Sequence, residues 1–439
     1  MIASEKITIF WFRRDLRLHD NTGLLMALQS GIPVLPVFIF DRSILGKLNC
    51  RDDPRVSFIH SQVTRLKKEL ENAGSSLLVL NGYPVEVFSS LIREFNVEKV
   101  LANSDYEPAG LMRDQEVTRL LSACGIQVSF YKDHVVFEKN EILKEDGTPY
   151  SIFTPYSVKW KKNLRPDTLW AKNSGFLIHR FLKCPPFPLP GLNDIGFDEG
   201  VVPFPPSEIP FPIIENYAST RDIPAIGGTT RLGIHLRFGT ISIREVCAVA
   251  VQKSDVFLNE LIWRDFFISI LWHFPHAAEN PFKRRYRFIE WRNNETEYMK
   301  WCRGETGYPL VDAGMRELNS TGFMHNRVRM VVASFLTKHL LIDWRWGEAY
   351  FAEKLLDYEL SSNNGNWQWA AGCGCDAAPY FRVFNPLAQQ KKFDPQGIYI
   401  RKWIPELDTS DYPQPLVDHS LARERALVVY KRALLRQES

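Results

Sequence analysis

Residues that suit a large ligand with phosphate groups and flat rings are concentrated in four segments in the second half of this 439-residue chain. The first segment, residues 227–233, reads GGTTRLG and leads into a predicted helix. Glycines let the backbone approach a ligand closely, while hydroxyl groups, backbone N–H groups and arginine bind phosphate oxygens. An ordinary capped helix start has a similar composition, so the segment alone leaves both interpretations open.

The second segment combines charge with aromatic residues at helical spacing. Glu260 lies three residues before Trp263 and four before Arg264, which places all three on one helical face. The commoner arrangement of this kind is a surface salt bridge beside a core tryptophan. A carboxylate in an aromatic stripe is, however, costly to bury without a function.

The third and fourth segments add amides and further tryptophans. Asn326, Arg329 and Met330 share one face of a predicted helix. In the fourth segment Trp367 and Trp369 lie two residues apart among asparagines, which suits a planar ligand better than a core. Together the four segments predict a site for a large polar and aromatic cofactor.

Basic residues alternate with aromatic ones in residues 283–288, KRRYRF, and Arg382 follows later in the chain. A run of charge is usually a solvated surface, whereas its alternation with aromatic side chains also suits nucleic acid. The formal net charge is only +3, from 54 basic and 51 acidic residues. Composition therefore neither requires nor excludes an anionic partner.

Composition restricts the class of protein. The 45% apolar content is typical of a folded globular protein, and no apolar run reaches the ~18 residues of a membrane span. The first residues lack a secretory-signal pattern and the seven cysteines are scattered, so we expect a cytoplasmic protein with reduced thiols and no membrane segment. Cys373 and Cys375 have no second ligand pair at zinc spacing, which predicts no metal site.

The elements that must position these segments differ between the two halves of the chain. Apolar residues recur at helical spacing after Pro54 and in residues 85–95. Short apolar runs predict strands at residues 7–12, 34–40, 77–80, 100–102 and 126–130. This alternation predicts an α/β domain with a doubly wound parallel sheet in residues 1–130. Neither GxGxxG nor the phosphate-loop motif is present.

A proline-rich segment separates this domain from the rest. Nine of the 27 prolines lie between Cys184 and Pro212, and proline removes backbone donors, so residues 131–212 are predicted to connect two domains. Helical periodicity dominates from Tyr217 onward, for example in residues 251–271 and 310–342. We therefore predict an α/β domain followed by an all-α domain over residues 213–439.

Ordered motifs give the chain a resemblance to the photolyase/cryptochrome family, and within it to the class I cyclobutane pyrimidine dimer (CPD) DNA photolyases. Residues 10–21, FWFRRDLRLHDN, are similar to the family's N-terminal signature. The four segments above and residues 376–382, DAAPYFR, are similar to its flavin domain and follow in the same order. The resemblance implies an N-terminal antenna-chromophore domain and a C-terminal helical domain that binds FAD.

The resemblance also implies which residues contact FAD. Asp357 and Arg329 are expected to form an ion pair near the isoalloxazine ring, and Asn363 is expected to face its N5 atom. Gly233 and Glu359 stand where the family commonly has serine and aspartate. The full implied set is Tyr217, Thr229, Thr230, Arg231, Leu232, Gly233, Asn326, Arg329, Asp357, Glu359 and Asn363.

The implied function is light-driven repair, in which photoexcited reduced FAD passes an electron to a pyrimidine dimer flipped out of single- or double-stranded DNA. Glu260 and Asn363 are the implied catalytic residues. Trp367, Trp344 and Trp291 correspond to the electron-transfer chain that re-reduces the flavin. The residues implied to bind the lesion or the surrounding DNA are Arg221, Glu260, Trp263, Arg264, Asn326, Arg327, Met330, Trp369 and Arg382.

The antenna chromophore and one alternative function stay open. Glu107 corresponds to a position that contacts folate in some relatives, so the second chromophore is expected to be methenyltetrahydrofolate, a deazaflavin or a flavin. The alternative function is a cryptochrome-type blue-light photoreceptor with the same fold and FAD. Asn363, the missing histidine pair of the 6-4 photoproduct enzymes and the short chain end after Leu435 favour repair. We expect the protein to be a monomer. A nucleic-acid-binding module without light chemistry is a third, weaker interpretation.

Overall fold

The structure is a computed structural model, and it describes residues 5–436. The strands are β1 (Lys6–Phe12), β2 (Val34–Asp41), β3 (Leu78–Gly82), β4 (Asn96–Asn103) and β5 (Gln127–Tyr131). The first helices are α1 (Thr22–Leu28), α2 (Arg42–Leu45), α3 (Pro54–Asn72), α4 (Pro84–Glu94), α5 (Pro108–Ala123) and α6 (Phe153–Asn163).

Beyond α6 the described elements are helical. They are α7 (Phe211–Glu215), α8 (Tyr217–Thr220), α9 (Gly233–Phe238), α10 (Ile243–Lys253), α11 (Asp255–His273), α12 (Glu295–Arg303), α13 (Pro309–Thr321), α14 (Asn326–Ser334), α15 (Trp344–Lys354), α16 (Leu360–Ala371), α17 (Pro386–Phe393), α18 (Ile398–Trp403) and α19 (His419–Leu435). A π-helical turn covers Phe335–His339, and 3-10 turns cover Pro166–Leu169, Gly175–Arg180, Asn193–Ile195, Pro275–Ala278 and Arg284–Phe288.

The five strands form one parallel sheet in the order β3-β2-β1-β4-β5, with β1 in the centre. In this register Phe10 lies opposite Pro36 on β2 and Leu101 on β4. All eight residues of β2 are buried, because a parallel sheet with helical crossovers is covered on both faces. The predicted doubly wound parallel sheet and the predicted helical second half are confirmed.

The chain forms two compact units, and neither is a continuous segment. The α/β unit contains the chain up to Glu138 together with Leu164–Ile209 and Leu232–Val249. The helical unit contains Lys139–Asn163, Pro210–Arg231 and the chain from Ala250 onward. The bounds of these compact units differ from the predicted domain ranges 1–130, 131–212 and 213–439. Those ranges describe functional domains and stay a prediction.

A buried tryptophan accounts for one difference between these bounds and the predicted ranges. Trp160 on α6 is fully buried, and its Nε1 donates a hydrogen bond to Asp265 on α11 at 3.0 Å. Helix α6 therefore packs with the helical unit although it precedes the proline-rich segment. In the described part of that segment, between Cys184 and Pro210, the only helix or strand is the 3-10 turn Asn193–Ile195.

Two long stretches of predicted helical periodicity are interrupted by caps. Residues 251–271 divide at Ser254, whose side chain accepts a hydrogen bond from the Phe257 N–H and begins α11. Residues 310–342 divide at Gly322, which ends α13 in the left-handed conformation with φ +65°. Within residues 5–436, no helix is both long and apolar enough to span a membrane.

Candidate functional site

A cavity of about 580 Å³ lies in the helical unit among α14, α15 and α16. Charged, amide and aromatic side chains line it together, which is typical of a site for a polar ligand with flat rings. Eight of the predicted site residues contribute to its wall: Asn326, Arg329, Met330, Asp357, Glu359, Asn363, Trp367 and Trp369.

An ion pair forms one side of the cavity. Arg329 on α14 donates from Nη2 to both carboxylate oxygens of Asp357, at 3.0 and 3.3 Å. Its Nε donates to the Met324 carbonyl at 2.7 Å, which fixes the plane of the guanidinium. The structure thus brings together the two residues that the resemblance paired.

Asn363 is held by an acid that the sequence analysis did not identify. Its amide nitrogen donates to the Glu348 side chain at 2.8 Å and to the Glu348 carbonyl at 3.0 Å. With both N–H groups engaged, the amide oxygen is the group that Asn363 can present to the cavity. Burial raises the pKa of Glu348, although the hydrogen bond from Asn363 opposes this shift.

Glu260 is paired with an arginine. Its Oε1 accepts from Nη1 of Arg221 at 2.6 Å. Burial raises the pKa of Glu260, and Arg221 opposes this shift. Both residues belong to the helical unit, and neither contributes to the wall of the cavity.

Trp263 lies in a stack of aromatic rings on the same face of α11 as Glu260. Its ring centroid is 3.7 Å from that of Phe153, with 3° between the planes, and 5.3 Å from that of Phe267. Arg264, one helical turn after Glu260, donates to Glu359 at 3.0 Å, and Glu359 is part of the cavity wall. Helix α11 therefore adjoins the cavity through Arg264.

The other predicted DNA-binding arginines differ in exposure. Arg327 at the start of α14 pairs with Asp222 at 2.7 Å and its guanidinium lies 4.3 Å from the Phe393 ring centroid. Arg382 is exposed and lies 5.3 Å from the ring of Phe384.

Among the described residues, consecutive members of the predicted tryptophan chain are not in ring contact with each other. Trp367 and Trp344 are buried and Trp291 is half-buried. The Trp367 ring packs so closely on α15 that any side chain at Gly347 would collide with it. In the part of the chain that the structure describes, no aromatic ring pair links Trp367 to Trp344; the tryptophan paired with Trp367 is Trp301, at a centroid distance of 6.1 Å.

Residues 227–233 are divided between the two units. Thr229, Thr230 and Arg231 belong to the helical unit, whereas Leu232 and Gly233 belong to the α/β unit, where Gly233 begins α9. None of the five contributes to the cavity wall.

Arg231 and Tyr217 have aromatic neighbours of their own. Arg231 has a positive φ of 54°, and its guanidinium lies 4.3 Å from the Phe323 ring centroid. Tyr217 packs edge-on against Phe257 at 5.1 Å and does not reach the cavity wall.

A smaller cavity of about 300 Å³ lies in the α/β unit, where β1 and β4 end side by side. Ligands of open α/β sheets bind at such a point, where the strand order reverses. Arg14 lines this cavity and donates to Glu107 at 3.0 Å, and Arg237 also donates to Glu107 at 2.9 Å. The predicted antenna residue is therefore held between two arginines.

Motifs and residue spacing do not identify three further candidate functional residues. Glu348 and Asp222 acquire their roles from partners distant in the sequence, Asn363 and Arg327. Trp301 likewise pairs with a ring distant in the sequence, that of Trp367. Only the fold brings these groups together, so spacing along the chain does not reveal them.

The chemistry of the cavity wall fits the flavin ring of FAD. A ring system with N–H and carbonyl groups along one edge can pair with Asp357, Arg329 and the oxygen of Asn363, and the indole of Trp367 offers it an aromatic neighbour.

Comparisons with known proteins agree with this chemistry. Residues 8–173 match the family model described as DNA photolyase, and residues 257–411 match the FAD binding domain of DNA photolyase. The chain is 35% identical to the deoxyribodipyrimidine photo-lyase of Synechococcus sp., over 96% of this chain and 96% of that protein.

Two solved structures have the same fold over nearly the whole chain. A bacterial class III photolyase from Agrobacterium tumefaciens has a TM-score of 0.84 at 32% identity and covers 98% of both chains. A cryptochrome from Synechocystis has a TM-score of 0.83 at 26% identity, covering 98% of this chain and 100% of that one. The family models and the full-length relative show that the chain belongs to the photolyase/cryptochrome family and contains its DNA photolyase and FAD-binding domains.

Proposed function

We propose that this protein repairs cyclobutane pyrimidine dimers in DNA with light, as a class I photolyase. The observation that carries the proposal is the cavity of the helical unit, in which the Arg329–Asp357 pair, the Asn363 amide and the Trp367 indole meet. Charged, amide and aromatic groups converge there in the combination that a flavin ring requires.

FAD, when bound and reduced, supplies the light absorption and the electron that the repair needs. Arg329 and Asp357 would orient the edge of the ring, and Asn363 would present its oxygen toward N5 because Glu348 occupies its N–H groups. We further assign to FAD the contacts implied by the resemblance: Tyr217, Thr229, Thr230, Arg231, Leu232, Gly233, Asn326 and Glu359.

The lesion would be bound beside this ring. Flipping a base out of the duplex costs a few kcal/mol, which stacking and hydrogen bonds in a pocket partly offset. We assign hydrogen bonding of the dimer to Glu260 and its apolar walls to Trp263, Met330 and Trp369. Phosphate contacts, which fix position without reading sequence, are assigned to Arg221, Arg264, Arg327 and Arg382, with Asn326 at the mouth.

Two supporting functions complete the proposal. Electrons that restore the reduced flavin would pass through Trp367, Trp344 and Trp291. A second chromophore would act as an antenna in the α/β unit, with Glu107 as a contact, and it is a folate, a deazaflavin or a flavin. Extraction of the chromophores and their absorbance spectra identify both the cofactor and the antenna.

The test is repair of a defined substrate. Purified protein with its flavin reduced is mixed with an oligonucleotide that contains one thymine dimer, and intact thymines are measured after blue light and after darkness. We expect repair only in the light. Flavin-bound protein that leaves the dimer intact under saturating light would exclude the proposal.

The second candidate is a cryptochrome-type photoreceptor. The similarity to the Synechocystis cryptochrome over nearly the whole chain supports this alternative, because proteins with either function share the fold and the FAD-binding domain. Absence of repair together with light-driven flavin reduction would select this alternative.

A further inference from the structure

The turn after helix α8 carries two neighbouring charges that pair with two different helices. Arg221 donates to Glu260 on α11 at 2.6 Å. Its neighbour Asp222 accepts from Arg327 on α14, at 2.7 Å from Nη2 and 3.2 Å from Nε. Glu260, Arg221 and Arg327 all carry proposed roles in lesion or DNA binding, whereas Asp222 has none.

Each of the three guanidinium nitrogens of Arg327 has a partner in the structure, and the Nε–Nη2 edge faces Asp222. One oxygen of Asp222 accepts from two of its nitrogens, its third nitrogen lies 3.8 Å from the Met330 sulfur, and its face covers the ring of Phe393. The Arg327 side chain is 19% exposed and that of Asp222 is 43% exposed. A DNA phosphate that approaches the Nε–Nη2 edge of Arg327 therefore meets the more exposed carboxylate of Asp222.

We propose that Asp222 is a specificity-determining residue that withholds Arg327 from the phosphates of undamaged DNA. The inference rests on the proposed function, because it assumes that the protein selects damaged DNA. A phosphate that binds the Nε–Nη2 edge of Arg327 must displace Asp222, and the exchange of one anion for another yields little net stabilisation. With a flipped dimer, contacts inside the pocket offset the loss of the pair.

The neighbouring Arg221–Glu260 pair responds to DNA in the same way. If Arg221 turns toward a phosphate, Glu260 is left half-buried without its partner, and leaving a buried charged group unpaired costs free energy. Undamaged DNA does not supply a replacement, whereas a dimer in the pocket brings N–H donors to Glu260. Contacts to DNA can therefore replace either ion pair with a net gain in free energy only when a lesion is bound.

The test compares D222N with the control D408N in full-length, flavin-containing protein. Asp408 pairs with Arg401 on the surface, and both side chains are more than half exposed, so D408N removes the same charge from an exposed arginine pair. Dissociation constants are measured for undamaged duplex and for the same duplex with one thymine dimer, between 50 and 200 mM salt. Thermal midpoints and flavin content verify that each variant is folded.

We expect D222N to bind undamaged duplex several-fold more tightly than wild type and to lower the ratio of damaged to undamaged affinity. One additional phosphate contact steepens the plot of log affinity against log salt by about 0.9, which makes the loss between 50 and 200 mM about 3.5-fold larger. The slope for damaged duplex should stay as in wild type, and D408N should change both substrates equally. In an R327Q background, D222N should have no further effect on the slope.

A D222N protein whose undamaged-duplex affinity and salt slope match those of D408N would overturn the inference. If D222N does not fold, D222E serves as the second variant: it retains the carboxylate and should retain the wild-type ratio, and an increase in undamaged-duplex affinity would contradict the role of the charge. Failure of the proposed function has a different signature, since wild-type protein would then bind damaged and undamaged duplex equally.

Discussion

At the scale of single residues, the site consists of polar groups that pair with partners distant in the sequence. Glu260 pairs with Arg221, and Asn363 pairs with Glu348. Each pair satisfies a group that burial would otherwise leave without a hydrogen bond, which costs about 1–3 kcal/mol. The partners therefore stabilise the fold and at the same time set the direction in which each functional group points.

Replacement of Glu260 tests its proposed role in catalysis. A hydrogen bond to a charged group contributes about 1.5–3 kcal/mol, so E260A should lower the repair yield per absorbed photon by about tenfold or more. Dimer-containing DNA should still bind, because the arginines and the aromatic walls are intact. Repair by reduced enzyme is measured at enzyme excess and fixed light dose. An unchanged yield would remove Glu260 from the reaction.

Glu348 should give the stability of the protein a specific dependence on pH. Burial raises its pKa in the folded state, so its contribution to stability is complete below the unfolded value of about 4.3 and is lost as pH rises through the folded value. Glutamine keeps an acceptor for Asn363 but does not titrate. We therefore expect E348Q to gain stability relative to wild type between pH 5 and pH 8.

The free energies of unfolding in urea at the two pH values measure this difference. The control is E353Q, because Glu353 is exposed on the same helix. E353Q should show no comparable gain. A gain that is equal in both variants would contradict the assignment to Glu348.

At the scale of elements, the apolar pattern predicts the buried strands and helices well and their ends less well. The strand predicted from residue 34 begins at Val34, and the helix predicted after Pro54 begins at that proline. Strand β4 begins at Asn96, earlier than the predicted residue 100, because Asn96, Val97 and Lys99 also pair with β1 although two of these three side chains are polar. Polar residues in a paired strand give no apolar signal.

Helix starts depend on caps that only local geometry reveals. His325 caps α14: its Nδ1 accepts from the Arg327 N–H at 3.2 Å. Burial lowers the pKa of His325 to about 4. His325 therefore has a structural role at the start of α14, next to Asn326 of the cavity wall.

His325 should make the protein less stable in acid. The unfolded state binds its proton below about pH 6.5 and the folded state only near pH 4, so stability falls by up to about 3 kcal/mol between these values. H325N retains a capping acceptor but does not titrate. Urea unfolding at pH 7 and pH 4.5 should show a smaller loss for H325N than for wild type. Equal losses would contradict this prediction.

Aromatic elements around the cavity offer a route for electrons besides the predicted one. From Trp367 the ring pairs continue to Trp301 at 6.1 Å, to Tyr298 at 5.9 Å and to Trp346 at 5.1 Å. Tyr298 and Trp346 are half-buried, so this series leads from the cavity wall toward solvent. The predicted chain continues instead from Trp367 to Trp344.

The two routes are separated by light-driven reduction of the oxidised flavin. We expect W344F to retain part of the wild-type rate and the double variant W344F/W301F to lose it. W403F is the control, because Trp403 is not a member of an aromatic ring pair among the described residues. A complete loss in W344F alone would show that Trp301 carries no electrons.

At the scale of the whole molecule, the sequence predicts two kinds of domain but not how the chain is shared between them. The predicted domains are continuous segments, because the proline-rich segment that separates them was located by its position along the chain. The observed units are discontinuous. Residues 139–163 belong to the helical unit, where Trp160 is buried and bonds to Asp265, and residues 232–249 belong to the α/β unit. Contacts of this kind depend on side-chain burial in three dimensions, which no local pattern encodes.

The division into two units also predicts which helices and strands become less stable when the flavin is removed. A ligand that binds only the folded state stabilises it by about 2.7 kcal/mol at a hundredfold excess over its dissociation constant. The proposed flavin contacts of the cavity lie on α14, on α16 and in the segment that joins α15 to α16, all in the helical unit, whereas the sheet belongs to the other unit. Removal of FAD should therefore lower amide hydrogen-exchange protection in α14, α15 and α16 by about tenfold or more and leave β1, β2 and β4 unchanged.

The D357N variant, with a weakened Arg329 pair, should lose protection in the same helices when flavin is limiting, and re-addition of FAD should restore it. Equal loss of protection in the strands and the helices would contradict the assignment of the cofactor to this cavity, because a ligand bound there has no reason to stabilise the sheet to the same extent.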